Sequence, residues 1–380
     1  MKIKFLGVIL ILSLTSAVFG TEPGVAFKGI SQMGMGGAGV AVVSNEHSLY
    51  LNPANLVNIS LPGIKGPRML VGINSEIATK YQDMMNLSSG SGTTDLISNL
   101  NSLVPLKIGA EIAASPLLAI TNPSFGIGVF TSFSFTDTMS KSLKMKLSTL
   151  TDAGLYIGGA RWFEVFGKQV AGGVSLKYLQ RVRTYNATGG LTYEWTMDDM
   201  LAFQNGETPP IDVFTGTGIG ADVGFLTKID TFLGSGNLGL VFNNVATTLQ
   251  GKIYRIDSSS TAELEEKSLT LPMTATLGLG VKTGVPVVGK FLGEVDLAID
   301  YQVVSSETSF FKKLNIGTEA RILNESIRLR GGLNHGFIVG GFGWDFLIFK
   351  FDFAMNTFAL GSEVNINPVT YYVFQGGILF

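Results

Sequence analysis

Residues 291–303 read FLGEVDLAIDYQV, and their apolar side chains fall on every second position. Phe291, Val295, Leu297, Ile299, Tyr301 and Val303 share one parity; Glu294, Asp296, Asp300 and Gln302 share the other. Successive residues of a strand face opposite sides, so a strand gives this stretch one apolar face and one acidic face. A helix would scatter the carboxylates around its cylinder. The same alternation recurs along the chain. Val170, Val174, Leu176, Tyr178 and Val182 alternate with Ser175, Lys177, Arg181 and Arg183, and Ile327 and Leu329 with Arg328 and Arg330. Phe349, Phe351, Phe353 and Met355 alternate with Lys350, Asp352 and Asn356, while Phe125, Ile127, Val129, Phe133 and Phe135 line one face of another segment.

Composition decides between the architectures that such strands can build. The 380 residues are 46% hydrophobic and 15% charged, with 48 Gly and 26 Phe, and the mean hydropathy is +0.34. Beyond the first twenty residues there is no apolar run of about 18 residues, the length a membrane-spanning helix needs. A lipid-compatible composition without such helices leaves the closed barrel, the other architecture that satisfies every backbone polar group within the bilayer. A soluble sandwich with one wet face is the competing arrangement. Long strands, aromatic-rich apolar faces and a carboxyl-terminal phenylalanine argue against it. From Met69 onward about fourteen amphipathic segments can be counted, an even number as single-chain bacterial barrels require. Residues 81–104, 186–214 and 250–269 are long and polar, whereas the connections near 163–168, 231–237 and 323–325 are short. The prediction is an all-β, transmembrane antiparallel β-barrel of about 14 strands over residues 66–380. Both termini then lie on the side of the short turns.

The first twenty residues read as a secretory leader. Lys2 and Lys4 form its positive end, Phe5–Leu14 its apolar stretch, and Ser16-Ala17-Val18-Phe19-Gly20 a small-residue cleavage region. The chain has no Cys, so neither a lipid-attachment thiol nor a disulfide framework is available. A formal charge of −2 without a basic cluster gives no sign of nucleic-acid binding. At the other end, VTYYVFQGGILF places Tyr372, Phe374, Ile378 and Phe380 on one face. It resembles the terminal strand of bacterial outer-membrane barrels, whose last aromatic residue signals to the barrel-assembly machinery.

Between leader and barrel lies a segment that suits neither. A barrel of about fourteen strands leaves a lumen, and residues 21–65 are too few for a domain of their own. They are predicted to plug that lumen. Gly34, Gly36, Gly37 and Gly39 permit tight turns and close approach to the wall. Pro53 keeps Asn52 out of helical geometry and fixes a rigid elbow. The stretch MGMGGAGVAVVSNEHSLYLNPANL, residues 33–56, resembles the amino-terminal hatch of the long-chain fatty acid transporter (FadL) family, where a glycine-rich lead also runs into Asn-Pro-Ala. On that resemblance Gly34, Gly36 and Gly37 match the lead, and Asn52, Pro53 and Ala54 the hatch motif. The resemblance implies a hatch-plugged barrel in the outer membrane of a diderm bacterium, surrounded by outer-membrane lipid and passing hydrophobic or amphipathic small molecules. It also contains a rival, since PorV-like members of the superfamily dock protein partners in secretion.

Little in the sequence supports catalysis or metal binding. The two histidines, His47 and His335, are far apart and there is no Cys, so no catalytic residue, metal ligand or cofactor is assigned. Gly340–Asp345, GGFGWD, reads as the start of a strand with Trp344 at an interface belt rather than as a phosphate loop. The inward charges Glu294, Asp296, Asp300, Glu319, Arg321, Arg328, Arg330, Lys350 and Asp352 are expected to form ladders that brace the wall and grip the hatch. A second reading sets Lys177, Arg181, Arg183, Arg328 and Arg330 against a ligand carboxylate. Two outer loops carry apolar residues at helical spacing, Leu96, Leu100 and Leu103 in one, and Met197, Met200, Leu201 and Phe203 in the other. They are candidates for a greasy landing site at the outer mouth.

Overall fold

The computed structural model describes residues 29–60, 62–77, 79–80, 104–139, 144–186, 192–196, 198–199, 202, 209–257, 260–284, 292–304, 309–359 and 368–378. The leader, the landing-site residues Leu96, Leu100, Leu103, Met197, Met200, Leu201 and Phe203, and the terminal Phe380 lie outside the described residues.

One antiparallel sheet closes on itself. Its strands are β1 (Gly63–Lys65), β2 (Arg68–Asn74), β3 (Leu106–Thr121), β4 (Phe125–Met139), β5 (Met145–Val165), β6 (Lys168–Tyr185), β7 (Tyr193–Trp195), β8 (Ile211–Thr231) and β9 (Gly234–Ile256). They continue as β10 (Thr261–Thr270), β11 (Thr274–Gly284), β12 (Leu292–Val304), β13 (Leu314–Ile322), β14 (Ile327–Asn334), β15 (Phe337–Phe346), β16 (Phe349–Ala359) and β17 (Pro368–Ile378). β17 pairs with β2, Phe374 opposite Val71, which shuts the ring. β10 and β11 both pair with β9, on either side of Leu271–Met273, and act as one interrupted strand. β1 and β2 share β3 in the same way, and β7 only extends the outer end of β5. The wall therefore has 14 strands.

Burial follows the alternation, inverted relative to a soluble sheet. On β6, Ser175, Lys177, Arg181 and Arg183 are buried, whereas Val174, Leu176 and Tyr178 are exposed. The charged face is inside and the apolar face outside, as a barrel in lipid requires. Exposed apolar side chains continue around the ring, from Val71 on β2 through Ile219, Leu277, Ile299, Leu329 and Phe351 to Phe374 on β17. Phe374 packs on Phe353 with ring centroids 5.0 Å apart, and Trp344 packs on Phe346 at 5.2 Å. No described helix is long and apolar enough to cross a membrane. At one end of the barrel β5 meets β6 through Phe166–Gly167 and β15 meets β16 through Leu347–Ile348. Phe166 and Gly167 have φ of 53° and 72°, a double positive-φ hairpin in which the second position suits glycine.

Two sequence expectations are corrected. Residues 250–269 are not a loop: their described residues pair as β9 and β10, Asp257 N–H bonding the Ser260 carbonyl at 3.1 Å and Lys252 lying 2.8 Å from Glu263 across the strands. The β10 residues from Thr261 to Glu266 are exposed on both faces, so no apolar parity marks the strand in sequence. GGFGWD does not begin a strand but forms most of the second half of β15, which starts at Phe337.

Candidate functional site

The barrel is not empty. Residues 29–59 form a short helix α1 (Ile30–Gly34), a second helical turn α2 (Ser48–Leu51) and a 3₁₀ turn (Pro53–Asn58), nearly all buried. α1 touches β14 to β17, α2 touches β4 and β5, and the 3₁₀ turn touches β5, β6 and β8. Met35 to Val42 bridge the remaining arc along β9, β11, β12 and β13. A segment that reaches strands on all these sides of a closed ring lies within it.

Glycines make this approach possible, and more of them belong to the wall than to the segment. A Cβ on Gly173 would sit 2.5 Å from the carbonyl carbon of Pro53 and 2.7 Å from Cα of Ala54. On Gly317 it would sit 2.7 Å from Cβ of Met35, on Gly332 2.8 Å from its carbonyl carbon, and on Gly158 2.8 Å from Leu49. At Gly173, Gly317 and Gly332 wall and segment therefore meet backbone to backbone, while Gly158 makes room for the Leu49 side chain. On the segment side, Gly36 and Gly37 take φ of +68° and +84°, and Gly34 lies with its Cα against Gly341.

Hydrogen bonds fix the register. Asp300 of β12 accepts the backbone N–H groups of Gly39 at 2.7 Å and Val40 at 2.9 Å through one carboxylate oxygen. Asn52 is extended (φ −154°), as a residue before proline should be, and accepts the N–H of Ala54 through its side chain. Its amide also donates to the carbonyl of Val40 at 2.9 Å, where Asn55 joins at 2.8 Å. The motif Asn52-Pro53-Ala54 thus closes one turn and ties the two halves of the inner segment together.

The charged candidates fall into two separate groups. On β6, Arg181 holds Asp152 through two bonds of 2.7 and 2.8 Å, and Lys177 donates to Asp222 at 2.5 Å and to Asn244 at 2.7 Å. Arg183 donates to the Thr184 carbonyl and lies 5.1 Å over the Tyr185 ring. On β14, Arg330 bridges Glu319 and Asp352, each at 2.7 Å, and Arg328 clamps Asp345. Arg321 of β13 gathers Glu294, Asp296 and Glu319. Their arrangement is that of cross-strand ladders, in which Lys177, Arg181, Arg321, Arg328 and Arg330 each hold an acid.

Interleaved with the β6 charges, with Leu179 between Lys177 and Arg181 on the inward face, the same side of the lumen carries an apolar cluster. Phe130, Tyr156, Leu179, Phe214 and Leu249, on β4, β5, β6, β8 and β9, are at most 2% exposed and point inward. They form one cluster with Leu49, Tyr50 and Leu56 of the inner segment at one end and Tyr185, Ile253 and Leu269, near the long-loop end, at the other. The Tyr50 ring centroid lies 4.7 Å from that of Tyr156 and 5.8 Å from that of Phe130. Barrel interiors are ordinarily polar, so this column is the departure from the common pattern.

Where the segment meets the short-turn end, a polar cavity of about 260 Å³ opens among Asn45, His47, Arg68, Arg321, Lys350 and Asp352. Glu46 forms an ion pair with Arg68 in its wall. Burial would raise the Glu46 carboxyl, but Arg68 and then His47 outweigh it and hold it at about 2. Burial pushes His47 down to about 4 against the pull of Glu46, with Arg68 adding to the decrease, so the ring is neutral at pH 7. Its Nδ1 lies 3.2 Å from Oε1 of Gln32.

Glu46, Arg68 and Asn55 carry no signal in the sequence that marks them as contacts of the segment. Asp300 was visible only as one of several inward acids. The apolar column could have been found from stretches such as Gly154-Leu155-Tyr156-Ile157, where both parities are apolar.

No family model and no curated protein matches the chain. Among solved structures it is similar to the toluene transporter TbuX of Ralstonia pickettii (14% identity, 93% of this chain and 97% of that chain, TM-score 0.47). It is also similar to the Pseudomonas putida toluene transporter TodX (13%, 93% and 98%, TM-score 0.46) and to a Pseudomonas aeruginosa FadL homologue (11%, 93% and 98%, TM-score 0.44).

Proposed function

We propose that this chain is an outer-membrane channel for passive uptake of hydrophobic or weakly amphipathic small molecules, with the inner segment acting as a hatch. The observation that carries the reading is the apolar column of Phe130, Tyr156, Leu179, Phe214 and Leu249 inside a barrel whose outer face is also apolar. An apolar molecule leaving water for such a path gains roughly 25 cal/mol for each Å² of apolar surface it buries, whereas a sugar or ion gains nothing there. The inner segment stops the column at Leu49, Tyr50 and Leu56, so passage requires it to shift. The exposed apolar ring and the secretory leader support the membrane, and the leader supports export.

The lumenal charges favour neutral cargo. Lys177, Arg181, Arg328 and Arg330 all hold protein carboxylates, so a free fatty-acid carboxylate binding at any of these four would have to displace one. The test is uptake by intact cells producing the protein, comparing a labelled monocyclic hydrocarbon, a long-chain fatty acid and a sugar. The proposal expects hydrocarbon uptake several-fold above cells with an empty vector, unchanged sugar uptake, and slower hydrocarbon uptake by Leu179→Asp at equal outer-membrane abundance. Fatty-acid uptake exceeding that of the hydrocarbon would shift the cargo class. Equal hydrocarbon uptake with and without the protein would overturn the reading.

A further inference from the structure

We infer that the outer surface of β5, β6 and β8, toward the short-turn end, is a binding site for an anionic phospholipid. The inference rests on the barrel spanning a membrane but not on what passes through it. Gly159 and Gly172 both face outward on neighbouring strands, and their missing side chains leave a cavity of about 420 Å³ in the wall surface. Phe163, Val174 and Phe225 rim it, so its walls are apolar and suit an acyl chain.

Arg161 stands in this groove, directly opposite Gly172 in the ladder, with its side chain exposed. Arg68, Arg181, Arg255, Arg321, Arg328 and Arg330 each hold a carboxylate. Arg161 holds none among the described residues, and the nearest acid on its strand, Glu164, has the opposite parity and falls on the other face. A bare guanidinium on a lipid-facing surface is unfavourable in proportion to its depth, so this position calls for an anion.

The height fits a headgroup. Arg161 is five residues above the turn at Phe166–Gly167. At roughly 3.3 Å per residue and a tilt of roughly 40°, it lies about 13 Å from the turn along the barrel axis. From there its side chain can reach down toward the phosphate level while the groove above takes the chain. Lys168 lies on the same outward face four residues below Gly172 and opposite Val165, which gives the site a second cation at the water boundary. A planar guanidinium bonds two phosphate oxygens at once, and the extra lysine favours a net-negative headgroup over a zwitterionic one.

The test is native mass spectrometry of the full-length protein titrated with phosphatidylglycerol or phosphatidylcholine, comparing wild type with Arg161→Gln and Gly172→Leu. Leucine at 172 fills the groove, and its nearest neighbour is the ring of Phe163, which can turn aside. Heat-modifiable gel migration checks that each variant has folded. We expect wild type to retain one phosphatidylglycerol about tenfold more tightly than phosphatidylcholine, and both variants to lose that preference. Retention by both variants equal to wild type would overturn the site, as would a second copy of the chain occupying this face. Hydrocarbon uptake by Arg161→Gln should equal that of wild type, so failure of the lipid site and failure of the channel reading are separately visible.

Discussion

Replacing Gly173 with valine forces wall and inner segment apart without touching any charge or hydrogen-bonding side chain. The added Cβ would lie 2.5 Å from the carbonyl carbon of Pro53 and 2.7 Å from Cα of Ala54, whereas ordinary contact begins at 3.4 Å. The deficit is close to 1 Å, and the obstructing atoms are backbone on both sides, so no side chain can rotate out of the way. Overpacking of this kind costs about 1–3 kcal/mol, and the upper end applies where neither neighbour can give. At about 1.4 kcal/mol per factor of ten, a penalty near 3 kcal/mol raises the undocked population of the segment roughly a hundredfold. Hydrogen exchange of peptides covering residues 48–58 measures this directly and should show protection falling by about that factor. Single-channel recordings should show a more frequent open level. The matched control is Gly331→Val, since a Cβ there meets nothing within 4 Å. If Gly173→Val and Gly331→Val exchange alike, the close approach is not what holds the segment, and the reasoning is wrong.

Asp300→Ala removes the acceptor of two backbone N–H groups, Gly39 and Val40. At about 1.5–3 kcal/mol for a bond to a charged group, exchange of residues 38–43 should speed by at least tenfold while the wall strands stay protected. Acid should loosen the segment too. Because the docked His47 has its pKa lowered to about 4 from 6.5, the undocked ring takes up a proton first, and docking weakens as pH falls from 6.5 to 4. Glu46, held at about 2 from 4.5, adds a further loss below pH 4.5. Each is worth roughly 3 kcal/mol at full protonation, and the change above pH 4.5 should shrink in His47→Gln when followed by exchange or probe access. Arg181→Leu leaves Asp152 buried without its bidentate partner and should destabilise the barrel by about 3–5 kcal/mol in urea unfolding, with much of that recovered in the double variant Arg181→Leu/Asp152→Leu.

The wall was legible in the sequence because period-two alternation survives wherever a strand has lipid on one face and charge on the other, as in Phe291–Val303. It fails for β10, whose residues are polar on both faces because they stand beyond the apolar band. The turn glycines Gly36 and Gly37 and the elbow at Asn52-Pro53 could be read, since positive φ and proline restrict local geometry whatever surrounds them. The receiving half of the contact could not. Gly173, Gly317 and Gly332 break no parity in their strands, and nothing local distinguishes a glycine that admits a backbone from one that merely lacks a side chain. The ladders were legible as a set of inward charges, but which acid each arginine holds depends on the register of neighbouring strands, as with Arg321 and Glu294 twenty-seven positions apart. The apolar column was legible only in part, at Tyr156 where both parities are apolar, because Leu179 and Phe214 lie on faces that are otherwise polar.

On the proposed function, the inner segment closes the barrel and must move for anything to pass. The chain contains no Cys, so a single engineered pair reports without interference. A Cβ on Gly280 would fall against Cγ1 of Val42, which places the two Cβ positions within about 4 Å, the reach of a disulfide. Val42→Cys/Gly280→Cys therefore tethers the segment to β11. Hydrocarbon uptake is to be measured with the pair oxidised and again after reduction, with each single cysteine as control. Uptake should fall near the empty-vector level when tethered and recover on reduction. Equal uptake in the two states would contradict that reading.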